Sequence, residues 1–214
     1  QKNPPTNKME QRQYKDNMGF ASRLVKRLFD IVVALLLLLI TSPLTLVIFI
    51  LLRLEVDHSA FYSQERIGRG GRIFRIRKFR TMHNDSEEDG VPLLATDDDS
   101  RLTPIGRFLR AHHLDELPQL WNVLTGDMSF VGYRPERQFF VDQITALNPD
   151  YTALYKIQPG VTSPATLYNG YTDTMPKMLR RLDMDLEYLT TRTLFLDLKI
   201  IFLTAIYTLL GKRF

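Results

Sequence analysis

The sequence predicts an α+β fold, mainly helical, with one small antiparallel β-hairpin behind a long apolar N-terminal segment. Three features predict it. Leu28 to Leu52 is a 25-residue apolar run carrying a single charge, Asp30. Residues 56–64 and 73–82 read as two short strands around the glycine-rich turn Gly68 to Gly71, with Phe74 and Ile76 alternating with Arg75 and Arg77. From Thr103 to Leu210 apolar residues recur at helical spacing between proline and glycine punctuation. At 214 residues the chain suffices for one domain with a substantial core. It divides into a basic segment over 1–27, an apolar segment over 28–54, a folded domain over 55–192 and an amphipathic helix over 193–214 that lies at a membrane surface or packs on the domain.

The net charge is +4, but it is unevenly placed. The first 27 residues hold seven Lys and Arg against Glu10 and Asp16, a local charge of +5, which leaves the remainder close to neutral. A basic patch directly before an apolar run fits an anionic membrane surface and argues against nucleic acid as the partner. The chain has no cysteine, and its four histidines lack metal-ligand spacing, which excludes thiol chemistry and argues against a structural zinc site. The opening Gln1 suggests that residues precede it.

The apolar run is long enough to span a bilayer as one straight helix. Ser42-Pro43 falls inside it and divides it into pieces of about 15 and 10 residues, each too short to cross alone. Proline removes a helical hydrogen bond, and Ser42 can satisfy the carbonyl so freed. Lys26-Arg27 before the run and Arg53 after it give no positive-inside asymmetry, so a spanning helix and one that bends at Ser42-Pro43 and leaves by the same face fit equally well. The second strand continues into Lys78 and Arg80, and that many cations suit either a charge-protected edge or a phosphate-binding surface. The acidic stretch that follows, with Asp97-Asp98-Asp99, resembles an Asp-x-Asp metal motif, although such runs are most often solvated loops.

Thr103-Pro104 reads as an N-cap and first-turn proline, opening a helix with Phe108 and Leu109 buried and Arg107 and Arg110 outward. Asp115 then reads as the cap of a second helix, with Leu117, Leu120, Trp121 and Leu124 as its apolar stripe and Thr125-Gly126 as its end. Asp115-Glu116 therefore sits where backbone N–H groups favour anions. Adjacent helical residues point about 100° apart, so two carboxylates there divide two tasks or simply cap the helix. A further helix spans Glu136 to Leu147, Gln158 to Thr162 is a turn, and residues 177–192 and 194–210 form two more helices.

The segments KRLFDIVVA, FYSQERIGRGGRIFRIRKFRTM, LDELPQLWNVLTGDMSFVGYRP and QPGVT together resemble the bacterial sugar transferase family, the monotopic phosphoglycosyl transferases, from about Lys26 to the chain end. The resemblance implies the small catalytic-core type, a re-entrant membrane helix broken at Ser42 and Pro43, and a monotopic protein of the bacterial inner membrane. The 55–192 domain is then catalytic, with its active site facing the cytoplasm. It implies transfer of a sugar-1-phosphate from a UDP-sugar to undecaprenyl phosphate with release of UMP and with Mg²⁺ as cofactor, the first membrane step of polysaccharide or glycoconjugate assembly. By position, Asp115 is the nucleophile that forms a covalent sugar-phosphoryl aspartate, and Glu116 binds the metal. Arg110, Arg134, Lys78 and Arg80 line the substrate cleft, and Lys26 and Arg27 meet phospholipid headgroups. Two positions depart from the family pattern. Tyr133 stands where proline is usual, and Tyr171, within Leu167 to Tyr171, replaces a phosphate-binding arginine with a neutral hydroxyl, which suggests an altered donor pocket. The C-terminal helix could support a homo-oligomer. Two rival readings remain: a membrane-anchored Asp-x-Asp glycosyltransferase that uses Asp97 to Asp99 and releases UDP, and a non-catalytic scaffold in which the acidic pair is only a cap.

Overall fold

The computed structural model describes residues 13–55, 59–83, 99–170 and 172–210. The expectations for Asp97, Asp98 and Tyr171, and for the acidic stretch over 84–98, lie outside these residues. The first element is one continuous helix, α1 (Phe20–Glu55), of 36 residues, which begins eight residues before the apolar run and passes through Pro43. Thr41 Oγ1 donates to the Leu37 carbonyl and Ser42 Oγ to the Leu39 carbonyl, at 2.7 and 2.8 Å, so hydroxyls serve the turn where proline offers no N–H. Most of α1's large apolar side chains are exposed, Leu39 and Ile40 by about 70% each, which is the surface a lipid environment would cover.

Both ends of α1 are fastened to the same folded unit. Near its start, Arg27 donates to the Val123 and Leu124 carbonyls and Asp30 accepts from the Phe130 backbone N–H. At its end, Ile48 and Leu52 pack with Ala60, Phe79 and Leu109. Strands β1 (Phe61–Ile67) and β2 (Ile73–Phe79) form the expected antiparallel hairpin, with Phe61 opposite Phe79 and Ile67 opposite Ile73. The first strand runs later than the 56–64 expected, because Glu65-Arg66 continues the pairing that their charge disguises. Phe49, Phe61 and Phe79 stack in series at 5.8 and 5.3 Å between ring centroids, joining α1 to the base of the hairpin.

Helix α2 (Pro104–Ala111) starts where expected, with Thr103 Oγ1 accepting from the Gly106 N–H at 2.9 Å. Glu55, the last residue of α1, reinforces this cap by accepting from Thr103 Oγ1 and from the Ile105 N–H at 2.9 and 3.0 Å. We expect Thr103→Ala to cost about 1–2 kcal/mol. Thermal unfolding in detergent should show a drop of several degrees; an unchanged melting temperature would mean that Glu55 alone caps α2. The packing of α2 corrects one expectation. Leu109 is buried, but Phe108 is exposed and sits against His112, since the face carrying Gly106 and Leu109 is the one that meets the hairpin and α1.

The second helix is also displaced. Leu114–Glu116 is a single 3-10 turn, and α3 runs Gln119–Thr125, so Asp115 lies inside the turn and is not a helix cap. Gly126 ends α3 in a left-handed conformation (φ 93°), as its glycine predicts. Leu120 is buried and Trp121 exposed, beneath the Arg77 guanidinium. β3 (Ser129–Val131) pairs in parallel with β4 (Gly160–Thr162), so the segment expected as a turn contributes a strand. The approach is close enough that a Cβ on Gly160 would stand 2.1 Å from the Gly132 nitrogen. In the chain α4 (Gln138–Leu147) lies between these two strands and α5 (Pro164–Tyr168) follows them, succeeded by α6 (Met175–Thr191) and α7 (Leu194–Leu209). The main core gathers Val123, Met128, Val131, Tyr133, Ile144 and Leu182.

Candidate active site

The site forms where β2, the 3-10 turn and the loop after β3 converge. β2 is held from its open side by one side chain: the Arg77 N–H donates to Asn122 Oδ1 at 3.0 Å and Asn122 Nδ2 donates to the Arg75 carbonyl at 2.8 Å. Asn122 is buried in α3, so this amide supplies the hydrogen bonds an edge strand otherwise leaves open and locks β2 to the helix that follows the acidic pair. Lys78 lies on the same strand face as Ile76 and is carried to the turn by this coupling.

After α2 the chain reverses at His113, whose left-handed backbone (φ 54°) is tolerated better by histidine than by most residues. The turn sends Asp115 inward, only 5% exposed, with Glu116 partly buried beside it. Lys78 Nζ sits 2.5 Å from Glu116 Oε1 and 4.0 Å from Asp115 Oδ2. Arg134 Nη2 lies 3.8 Å from the same Glu116 oxygen. The two carboxyls are driven apart. Burial raises the Asp115 pKa to about 6, against the pull of Lys78 and with the push of the Glu116 charge. Burial would raise Glu116 as well, but the Lys78 ammonium and the Arg134 guanidinium override it and hold the acid down at about 2. Environments that separate the pKa values of adjacent carboxyls give them different roles. Here Glu116 is a fixed charge and Asp115 a poorly solvated carboxylate, raised in energy and facing cations.

Arg110 lowers the cost of ionising Asp115, and its Nη1 is buried with no hydrogen-bond partner among the described residues. A guanidinium with a spare buried donor is suited to an incoming phosphate oxygen. Arg134 is exposed, its guanidinium at the Glu116 end of the acidic pair. Arg80 is engaged with the Ser59 carbonyl at 2.9 Å and the Tyr62 ring at 5.8 Å, at the base of the hairpin. Among the described residues no group of three potential metal ligands occurs, and Asp99 is buried in an ion pair with Arg101 at 2.5 Å. One ionised carboxylate, Glu116, is nevertheless the donor set that suits Mg²⁺, a cation that takes one or two carboxylates and completes its shell with phosphate oxygens and water.

Lys26 is turned inward, and this corrects its expected place at lipid headgroups. Its ammonium is buried and pairs with Asp197 of α7 at 2.6 Å, while Tyr188 donates to the other Asp197 oxygen at 2.5 Å. Arg27 caps α3 through its two carbonyl contacts, a cation at a helix C-terminus. Sequence reasoning missed Asn122, whose only signal is a polar residue inside an apolar stripe, and Glu136, which follows Arg134 by two positions.

The family model of bacterial sugar transferases matches residues 21–211. A UDP-glucose:undecaprenyl-phosphate glucose-1-phosphate transferase of Escherichia coli (strain K12) is 39% identical over 201 residues, which cover 93% of this chain and 43% of that protein. One of the same description from Caulobacter vibrioides is 43% identical over 183 residues, covering 84% of this chain and 68% of that protein. A UDP-N-acetylgalactosamine-undecaprenyl-phosphate N-acetylgalactosaminephosphotransferase of Aeromonas hydrophila is 38% identical over 191 residues, 88% of this chain and 45% of that protein. The chain thus spans under half the length of the first and third of these relatives. With a match over nearly its whole length, and with an acidic pair set among cations beside an apolar helix, this chain belongs to the bacterial sugar transferase family.

Proposed function

We propose that this protein transfers a sugar-1-phosphate from a UDP-sugar to undecaprenyl phosphate, releasing UMP. The observation that carries the reading is the buried Asp115 facing Lys78 and Arg110, with Arg134 at the rim, because a carboxylate among cations can approach a diphosphate without prohibitive repulsion. An Asp115 oxygen attacks the β-phosphorus as the bond to the oxygen bridging the α- and β-phosphates breaks, and UMP leaves with that electron pair. A phosphate oxygen of the polyprenol acceptor then attacks the same phosphorus and displaces Asp115 as a free carboxylate, completing two steps with ping-pong kinetics. Lys78 and Glu116 stay paired and fix the turn while Arg110 and Arg134 orient phosphate oxygens. Mg²⁺, when bound at Glu116, supplies charge neutralisation of the diphosphate.

The attachment of both ends of α1 to one domain supports the re-entrant reading. A straight helix of this length is about 54 Å long, and one that crossed the bilayer would carry its two ends to opposite faces. Phe195, Leu198 and Phe202 form an exposed apolar stripe on α7 at helical spacing, consistent with a helix lying on the same membrane face. In this arrangement the acidic pair lies at headgroup level on the cytoplasmic face, where a soluble nucleotide sugar meets a lipid phosphate. The relatives' descriptions name glucose and N-acetylgalactosamine, which makes these the first donors to test.

The test uses purified protein with Mg²⁺, a panel of UDP-sugars and no lipid acceptor, read by intact mass and nucleotide release. A sugar-phosphate adduct with stoichiometric UMP is expected. Release of UDP without an adduct would point to an ordinary glycosyltransferase, a reading already weakened by the burial of Asp99 in its pair with Arg101.

A further inference from the structure

The backbone of the loop that carries Arg134 is anchored from several sides. The Gly132 N–H donates to the Thr162 carbonyl at 3.1 Å, and the Gly160 N–H donates to the Tyr133 carbonyl at 2.8 Å. Arg66 Nη1 donates to the Pro135 carbonyl at 3.3 Å, and the Ile67 N–H donates to the Glu136 carbonyl at 3.1 Å. Asp185, buried in α6, faces the backbone N–H of Arg134 itself. Below the loop, the buried Glu136 carboxylate is clamped between Arg66 of β1, at 3.2 Å, and Arg181 of α6.

A buried Arg–Glu–Arg cluster is a poor stabiliser for its cost in lost hydration, and apolar residues would fill the space as well. It does fix registry, since the carboxylate is satisfied in one place only. We propose that Glu136, held by Arg66 and Arg181 and assisted by Asp185, is a positioning residue that sets the base of Arg134 so that its guanidinium reaches the substrate phosphates. The inference rests on the phosphoryl-transfer reading above and extends it. Arginine has several soft torsions, and anchoring its backbone narrows the positions that its guanidinium can reach. A displacement of the base by about 1 Å is worth up to about 100-fold in rate.

A double-mutant cycle tests this, with kcat and KM for UDP-sugar cleavage and a melting curve taken for each protein. Glu136→Gln in the full chain should lose about 10- to 100-fold in kcat/KM. In an Arg134→Ala background the same change should lose almost nothing further, because the group it serves is gone. Asp185→Ala gives a second cycle should Glu136→Gln fold poorly, and is expected to show the same non-additivity. Additive losses in both cycles, tracking a fall in melting temperature, would overturn the proposal and leave these groups purely structural. Full activity of Glu136→Gln and Asp185→Ala would overturn it as well. Wild-type protein inactive with every UDP-sugar would remove the phosphoryl-transfer reading and this inference together, whereas additive losses in an active enzyme remove only the inference.

Discussion

Asp115→Asn will abolish the sugar-phosphate adduct and UMP release, by on the order of 10⁴-fold or more, while making the protein harder to unfold. The loss follows from the nucleophile: an amide nitrogen or oxygen does not form the acyl phosphate, and Glu116 cannot substitute because it is held in its pair with Lys78. The gain in stability follows from linkage. Asp115 has a folded pKa of about 6 against 3.8 when solvated, so its ionisation opposes folding as pH rises through that interval. Asparagine removes this penalty, which is on the order of 3 kcal/mol at most when fully expressed. In metal-free buffer the variant should melt at or slightly above wild type near pH 4, and several degrees above it at pH 7. A variant that retains the adduct would remove Asp115 from the mechanism. One that melts lower at neutral pH would show that the carboxylate is a structural partner after all.

Lys78→Met will damage both folding and chemistry. Lys78 lies within ion-pair distance of both carboxyls, 2.5 Å from Glu116 and 4.0 Å from Asp115. Its loss leaves two adjacent, largely buried acids without their nearest counter-charge, a change that typically costs about 3–5 kcal/mol. Glu116 shows the sign. Its folded pKa of about 2 lies below the solvated 4.5, so its ion pair stabilises the protein above pH 4.5 and is lost as pH falls through 2. The deficit of Lys78→Met should therefore be greatest at neutral pH and shrink in acid, where both carboxyls are protonated and repel no longer. Activity should fall by about 10²- to 10³-fold, because Glu116 loses the charge that holds it ionised and the turn that presents Asp115 loses its fixed ion pair. Melting curves from pH 2 to 8, beside UMP release at neutral pH, would check both halves. A deficit that does not change with pH would mean that Lys78 acts through packing alone.

The acidic pair illustrates how far local sequence reaches. Its adjacency, its place between two helices and the arginines around it were all legible. Its depth was not, because the turn at His113 that rotates Asp115 inward depends on α2 and α3 both packing on α1. Read as a helix cap, Asp115 would be exposed and replaceable; inside the turn it is 5% exposed and surrounded by charges from β2 and from the loop after β3. The burial of Lys26 is hidden from local sequence for a similar reason. Its partner Asp197 lies 171 residues away, and no local pattern distinguishes a lysine that meets headgroups from one that meets a distant carboxylate.

The features legible before folding are those written in near neighbours. The apolar run specifies the long helix α1, alternation around a glycine turn the hairpin, Thr103-Pro104 the start of α2, and Gly126 the end of α3. Each rests on backbone preferences and hydrogen bonds that close within a few residues. The parallel pairing of Ser129–Val131 with Gly160–Thr162, the Asn122 clip on β2 and the Arg66–Glu136–Arg181 cluster arise from packing. These join groups that are far apart in the chain and near only after collapse. Their side chains are polar, and read locally they belong equally well in water, so the choice between solvent and partner falls to the packing that removes the solvent.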